Sequence, residues 1–488
     1  MKTPLWFCLF VLLCAPARIA LCQGEPVQRQ LTPAQQQADF QLFRKALQEV
    51  HPGVYRYTPK AVFDARFDSV AARLTQPQSE QAYYAALTSL VVQLRCGHTK
   101  FIPADRDDKY PYHTSQLFPL RLHLLGGRAY VLYNYDGSTA IPAGAELLRI
   151  DGRPVDDILT GLLPYVSFAD GATTTAKWLE LQAFFAGYYA AFAQAADRYT
   201  VEYRRPDGQV AQTEVPATTL TTIKAVEKQR APAARYPLQL DFRPDGAAVL
   251  TIDHFWVEGK QQPYAQFLRE AFRQLRARGT KSLILDLRNN EGGNDSYGTL
   301  LYSYLASKPF RYYQRIGTHA RRTSIQRQVH SEWFYGLYRR VFIRRATDGI
   351  YEFRGRKGLK LQQPQPEAFG GDVYILTNGW SYSVTAEFAA VARRESRATF
   401  IGQETGGAYG GNNSGFFAFV HLPNSGITLG LPVWSYYMAV PDTAHPERGI
   451  VPDYVVEPTA ADVLRGTDRE MEFTLDLIRR KAATSARE

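Results

Sequence analysis

Three short apolar segments in the second half of the chain constrain the fold most. Ala248-Val-Leu-Thr-Ile252, Ser282-Leu-Ile-Leu-Asp-Leu287 and Asp372-Val-Tyr-Ile-Leu-Thr377 have the length of strands and the near-continuous apolar character of strands buried on both faces. Between the first two, residues 264–278 place Phe267, Ala271 and Leu275 on one helical face, and Gly279 stops the helix. After the third, Val384–Arg394 reads as another helix. The order strand–helix–strand demands a crossover connection and parallel pairing. From about residue 235 the chain is therefore predicted to be α/β, completed by short strands near Phe416–His421 and Ile427–Val433, with Asp295 capping a helix.

Upstream, residues 31–96 read as helical. Thr32-Pro33-Ala34-Gln35 forms a capping box with proline in the first turn, and Phe40, Phe43, Leu47 and Val50 follow at helical spacing. Gly97 is expected to close the third helix of this unit as a left-handed cap, leaving His98-Thr99 just beyond. Residues from about 115 to 220 alternate short strands with turns. Ala143-Gly144-Ala145-Glu146-Leu147-Leu148-Arg149-Ile150-Asp151-Gly152-Arg153-Pro154-Val155 resembles the signature of a PDZ domain, interrupted by a helical stretch over 174–195. The expected organisation is a leader (1–22), an N-terminal helical domain (23–112), a PDZ-like domain with a helical insertion (113–230) and an α/β core (231–488).

The 488 residues are 45% hydrophobic and 21% charged, which excludes disordered, collagen-like and multi-span membrane classes. The one long apolar run follows Lys2 and ends near Ala20-Leu21-Cys22. It reads as a signal peptide cleaved after Cys22, being shorter than the roughly 20 residues a span needs. A lipoprotein signal is disfavoured by bulky Leu21, and a retained anchor is the alternative. The expected location is periplasm, cell surface or medium. Three of the four cysteines lie in that leader, so the mature chain keeps Cys96 alone, with no disulfide and no cysteine-based zinc site. Cys96 is read as a small buried residue. Residues 308–360 hold fourteen Lys or Arg against three acids, more than the whole net charge of +10. This reads as a solvated basic insertion in preference to a surface for an anionic partner, and no motif accompanies it that would recruit nucleic acid.

Two turns follow buried strands on the edge where ligands collect in a parallel sheet. In the first, Asn378-Gly379-Trp380-Ser381-Tyr382-Ser383 leads into a helix. A serine there is placed for nucleophilic attack beside free helix amides, or it simply caps the helix. In the second, Asp286-Leu-Arg-Asn-Asn-Glu-Gly-Gly293 offers glycine backbone that can approach a ligand closely and direct N–H groups at an anion.

These motifs, with Ile401-Gly-Gln-Glu-Thr-Gly-Gly407 and Gly449-Ile-Val-Pro-Asp453, resemble the C-terminal processing (tail-specific) peptidases and the core of tricorn protease. The resemblance implies a crotonase/ClpP-like ββα spiral, a nucleophile at Ser383 in preference to Ser381, and an oxyanion hole from the N–H of Val384 with that of Gly292 or Gly293. The branch that uses a lysine base is excluded, since no lysine occurs between Lys360 and Lys481. The tricorn-like branch uses histidine and glutamate. Gly97-His98-Thr99 resembles its histidine motif, which makes His98 the general base, with His421 and His445 as rivals, and Glu447 falls where that branch has its glutamate. The branch also carries a serine where this chain has Gly97, which leaves the connection from His98 to Glu447 open. Trp380, Tyr382 and Tyr409 are cleft candidates. The implied function is an exported serine peptidase, without metal or other cofactor, acting on a peptide or protein, with the PDZ-like module binding an extended segment or the substrate's C-terminal end by strand addition. A non-catalytic carrier of the same fold and an esterase using the same serine are the alternatives.

Overall fold

The computed structural model describes residues 29–485 apart from 104–106, 234–235, 257–261, 319–322, 332–341, 347–350, 442 and 444. The proposed leader lies outside the described residues, and no helix among them is long and apolar enough to cross a membrane. The central sheet runs Leu238–Phe242, Ala248–Ile252, Ser282–Asp286, Asp372–Thr377, Thr399–Gly402, Tyr454–Val455. Only its first pairing is antiparallel; the other four are parallel, as the strand–helix–strand order requires. Alternation along each strand divides the sheet's two faces. Ala248, Leu250, Ile252, Leu283, Leu285, Val373 and Ile375 pack with Leu268, Phe272, Leu301 and Phe388 of the helices Tyr264–Ala277, Asp295–Ser303 and Val384–Arg394. Val249, Ile284, Tyr374 and Leu376 face Leu475 and Ile478 of the C-terminal helix Arg469–Ser485. Both faces are covered, which is why these strands are apolar throughout. Asn294, one residue before the expected Asp295, caps its helix by accepting from the N–H of Ser296.

A second, antiparallel sheet shares the core of the first. Asn413–His421 and Thr428–Met438 form its long hairpin, and Tyr313–Thr318 pairs with the far half of Thr428–Met438. Tyr313–Thr318 belongs to the stretch expected to be a solvated insertion, yet Tyr312, Tyr313 and Ile316 are buried. Its aromatic and aliphatic side chains are core, while Gln314 is exposed and Arg315 half-buried.

The N-terminal unit docks on this second sheet. Its first helix, Pro33–Glu49, begins with the expected capping box at Thr32. The third, Glu80–Val92, ends earlier than Gly97: Arg95 takes the left-handed conformation, at φ 54°, and Gly97 does not. Beyond it, Lys100–Ile102 pairs with Thr428–Gly430. The middle module is an antiparallel sheet in the order Leu120–Leu125, Arg128–Asn134, Glu146–Ile150, Arg198–Arg204, Val210–Pro216. Its helical insertion comprises Thr175–Ala183 and Phe185–Phe192. The segment just before the insertion reaches the core, where Asp170 N–H and Thr173 Oγ1 both donate to the carbonyl of Gly406.

Candidate active site

The two loops after strands Ser282–Asp286 and Asp372–Thr377 are bonded to each other. Leu287 N–H donates to Leu376 O, Tyr382 N–H to Asn290 O, and Asn378 Nδ2 to Asn289 Oδ1. Ser381 is wholly buried; its hydroxyl donates to Leu287 O at 2.8 Å and accepts from Asn378 N–H. Ser381 is thus a strut between the loops. Asn290 is a second strut, because its Oδ1 accepts from Gly292 N–H and Thr385 Oγ1 while its Nδ2 donates to Ile252 O.

Ser383 stands at the head of helix Val384–Arg394 with φ 54° and ψ −125°, a conformation that costs an L-residue about 1–3 kcal/mol. Its hydroxyl makes no capping bond. Instead, Oγ lies 3.1 Å from Nε2 of His98. The capping reading of this serine is therefore replaced by a serine–imidazole pair formed by residues far apart in the chain. The rival histidines are elsewhere: His421 is exposed and bonds Thr428, and exposed His445 faces Glu447.

The other face of the imidazole corrects the expected role of Glu447. His98 Nδ1 lies 3.0 Å from the Tyr382 hydroxyl, which in turn donates to Asp170 Oδ1 at 2.8 Å. Glu447 has its Oε1 3.4 Å from Nδ1 of His445, and no hydrogen bond joins it to His98 among the described residues. Glu447 meets the site through its backbone, its carbonyl accepting from Ala172 N–H at 2.7 Å. Tyr382, expected in the cleft, is only 3% exposed and stacks on His98 with ring centroids 4.8 Å apart. Trp380 packs on Phe168, and Tyr409 packs on the core.

Burial, with Lys100 adding repulsion, holds the pKa of His98 down, to about 3, so the imidazole is neutral at pH 7. Burial pushes Asp170 up to about 7, against the lowering effects of the Tyr382 hydroxyl, Gly97 N–H and the Arg56 charge. Tyr382 is raised well above its usual value by burial and then by Asp170, so its phenol keeps its proton. Cys96 is buried as expected, and burial carries its thiol to about 11. Cys96, His98 and Asp170 bring possible metal ligands within 4.8 Å of one another. The Tyr382 hydroxyl bonds both the imidazole and the carboxylate, which makes the cluster a hydrogen-bond chain in preference to a metal cage.

Of the expected oxyanion donors, Gly292 is already engaged, its N–H bonded to Asn290 Oδ1 at 2.9 Å. The N–H groups of Gly293 and Val384 donate no bond among the described residues. Gly292 instead supplies clearance: a Cβ there would lie 2.7 Å from Ser383 Cβ and 2.9 Å from Val384 N. Next to Gly97 and Thr99 opens a small cavity of about 40 Å³ whose walls also include Lys100, Tyr165, Phe168 and Phe192.

A nucleophile-bearing turn and a glycine loop at adjacent parallel strand ends also define a known family, whose model matches residues 246–456, described as peptidase family S41. The chain carries a family S41 peptidase domain. It is a serine-type peptidase, and the matched stretch holds Ser383, Gly293 and Glu447 but neither His98 nor Asp170. The fold as a whole is similar to that of mature CPAF, at 17% identity over 89% of this chain and 95% of that one, with a TM-score of 0.59. It is equally similar to mature CPAF complexed with lactacystin, at 18% identity over 92% and 99%, with a TM-score of 0.59. At such identities the likeness concerns the fold, and it extends well beyond the S41-matched stretch.

Proposed function

We propose that this protein is an exported serine peptidase that cleaves peptide bonds through an acyl-enzyme on Ser383, with His98 as general base. The 3.1 Å approach of His98 Nε2 to Ser383 Oγ carries this reading. As Oγ attacks the scissile carbonyl carbon, its proton passes to Nε2, and the oxyanion forms near the N–H groups of Gly293 and Val384. The C–N bond then breaks as Nε2 hands that proton to the leaving amine, and water repeats the sequence to release the acid. The architecture is read as a ClpP-like spiral core with a PDZ-like module. Strand addition at the module's Leu120–Leu125 edge is obstructed by its own insertion, since Leu124 N–H is taken by Gln182 Oε1 and Arg121 bonds the carbonyls of Gln182 and Ala183. The Val210–Pro216 edge is the more open one for a substrate chain.

A fluorophosphonate probe tests the reading directly. Covalent labelling should be abolished in Ser383→Ala and persist in Ser381→Ala. Absence of labelling in the folded wild-type chain would leave the carrier reading standing instead. Labelling with turnover of esters and no turnover of any peptide in a library would favour the esterase.

A further inference from the structure

The catalytic histidine of the proposed mechanism has an unexpected partner on Nδ1, a phenol in place of a carboxylate. The hydrogen-bond inventory of that phenol fixes the direction of every bond in the chain. Tyr382 owns one hydrogen and gives it to Asp170 Oδ1, so its oxygen can only accept from His98. The hydrogen of neutral His98 must then sit on Nδ1, which leaves the Nε2 lone pair for Ser383. Gly97 makes this arrangement possible in two ways. Its N–H donates to the same Asp170 oxygen at 3.2 Å, and a Cβ at this position would lie 2.7 Å from the Tyr382 hydroxyl oxygen and 2.8 Å from Ala169 N. A residue with a side chain here would occupy the ground the phenol now holds.

We propose that Tyr382 and Asp170 together are the third member of the catalytic assembly, positioning residues through which an ionised carboxylate selects, by way of a phenol, the His98 tautomer able to deprotonate Ser383. This inference rests on the serine–histidine mechanism above. Neither residue moves a proton during turnover: Nδ1–H and the phenol O–H stay in place, and the carboxylate stabilises the imidazolium through the oriented phenol dipole. Protonation of Asp170 reverses the chain. A carboxylic acid O–H can donate to the Tyr382 oxygen, the phenol hydrogen then turns to Nδ1, and Nε2 is left carrying the hydrogen. The acid form is thus the inactive one, and burial places its ionisation near neutrality, at about 7, whereas His98 titrates far lower. The charged and titratable groups around Asp170 are Arg56, Tyr57, Cys96, His98, Tyr382 and Glu387. Arg56 is the one cation among them that favours ionisation. Asp170 Oδ2 is buried without a hydrogen-bond partner among the described residues, consistent with a group balanced between its two forms.

The test is the second-order rate of fluorophosphonate labelling of the full chain between pH 5 and 9. In the wild type the rate should climb with pH through a midpoint near 7. Asp170→Asn, whose amide oxygen can still accept from Gly97 and Tyr382 but carries no charge to stabilise an imidazolium, should be slower by more than about tenfold and lack that midpoint. Tyr382→Phe, which removes one oxygen, should be slower by roughly 10²-fold and equally flat. Both variants should keep the wild-type far-ultraviolet circular dichroism. A wild-type rate that is flat across this range overturns the proposal without any variant. So does a folded Asp170→Asn that retains the midpoint or loses less than about tenfold. A wild type that is never labelled sinks the underlying serine–histidine reading instead, and the two failures are thereby distinct. Should Asp170→Asn not fold, Tyr382→Phe and the wild-type profile decide.

Discussion

Gly292 offers the sharpest mechanical test of the site. Its backbone has φ 100°, and an added Cβ would stand 2.7 Å from Ser383 Cβ, 2.9 Å from Tyr382 O and 2.9 Å from Val384 N. Carbon atoms in ordinary contact are about 3.5–4.0 Å apart, so Gly292→Ala forces the two catalytic loops apart by about 1 Å. The loops cannot part freely, because Asn290 and Ser381 bind them together. The left-handed backbone adds about 1–2 kcal/mol for an L-residue, and overpacking adds about 1–3 kcal/mol. A displacement of about 1 Å at the reacting atoms costs roughly 10²-fold in rate. Gly292→Ala should therefore lose about 2–5 kcal/mol in urea unfolding and label with fluorophosphonate at least about 10² times more slowly. Gly279→Ala separates the two effects, since Gly279 has φ 62° with open space around the would-be Cβ. It should lose about 1 kcal/mol and label at the wild-type rate. If Gly292→Ala labels as fast as Gly279→Ala, Gly292 is not the clearance on which Ser383 depends.

Ser381→Ala removes a strut and strands Asn378 N–H, so its unfolding free energy should fall by about 1–3 kcal/mol, read from urea midpoints, while Ser383 still labels. Glu447→Gln should alter the labelling rate by less than about threefold, because only the residue's carbonyl joins the site; a loss near 10²-fold would return its carboxylate to the mechanism. Gly171→Ala should be far more harmful, as its φ is 61° and a Cβ would lie 2.1 Å from Glu447 O; a wild-type melting temperature would contradict the packing described. Asp170 also has a signature in stability. Its folded pKa, about 7, lies above its ordinary 3.8, so folding favours the protonated form. The benefit is full below about pH 4 and is lost as pH rises through 7. A rise from 3.8 to about 7 corresponds to about 4 kcal/mol. Asp170→Asn should gain on the wild type by an amount of this order between pH 4 and 8, and a gap that stays constant across that range refutes the assignment.

Much of the core was legible because its residues obey local periodicities. The strand Asp372–Thr377 and the helix Val384–Arg394 fall where apolar continuity and helical spacing put them. The serine–histidine pair was reachable only through the family resemblance, since by its local element alone each partner reads equally as a cap. Asp170 was not: it lies in an irregular stretch with no periodic signal, and it matters only because docking buries it against residues 73 and 212 positions away. Tyr382 was read as a cleft aromatic because a sequence does not say which way a side chain next to a nucleophile turns. Gly97 looked like a helix cap, a backbone role, and proved to be space for a hydroxyl group. The basic stretch misled for a related reason: charge density hid Tyr312, Tyr313 and Ile316, which alternate with it and are core.

The site is assembled from three stretches that leave the ribosome at different times: the base, then the carboxylate, and finally the nucleophile. A nascent chain lacking its last hundred or so amino acids has no serine to attack with, and a fragment spanning 246–456 has the serine without its imidazole. On the proposed mechanism, hydrolytic competence therefore requires residues 98 to 383 to be joined in one folded molecule.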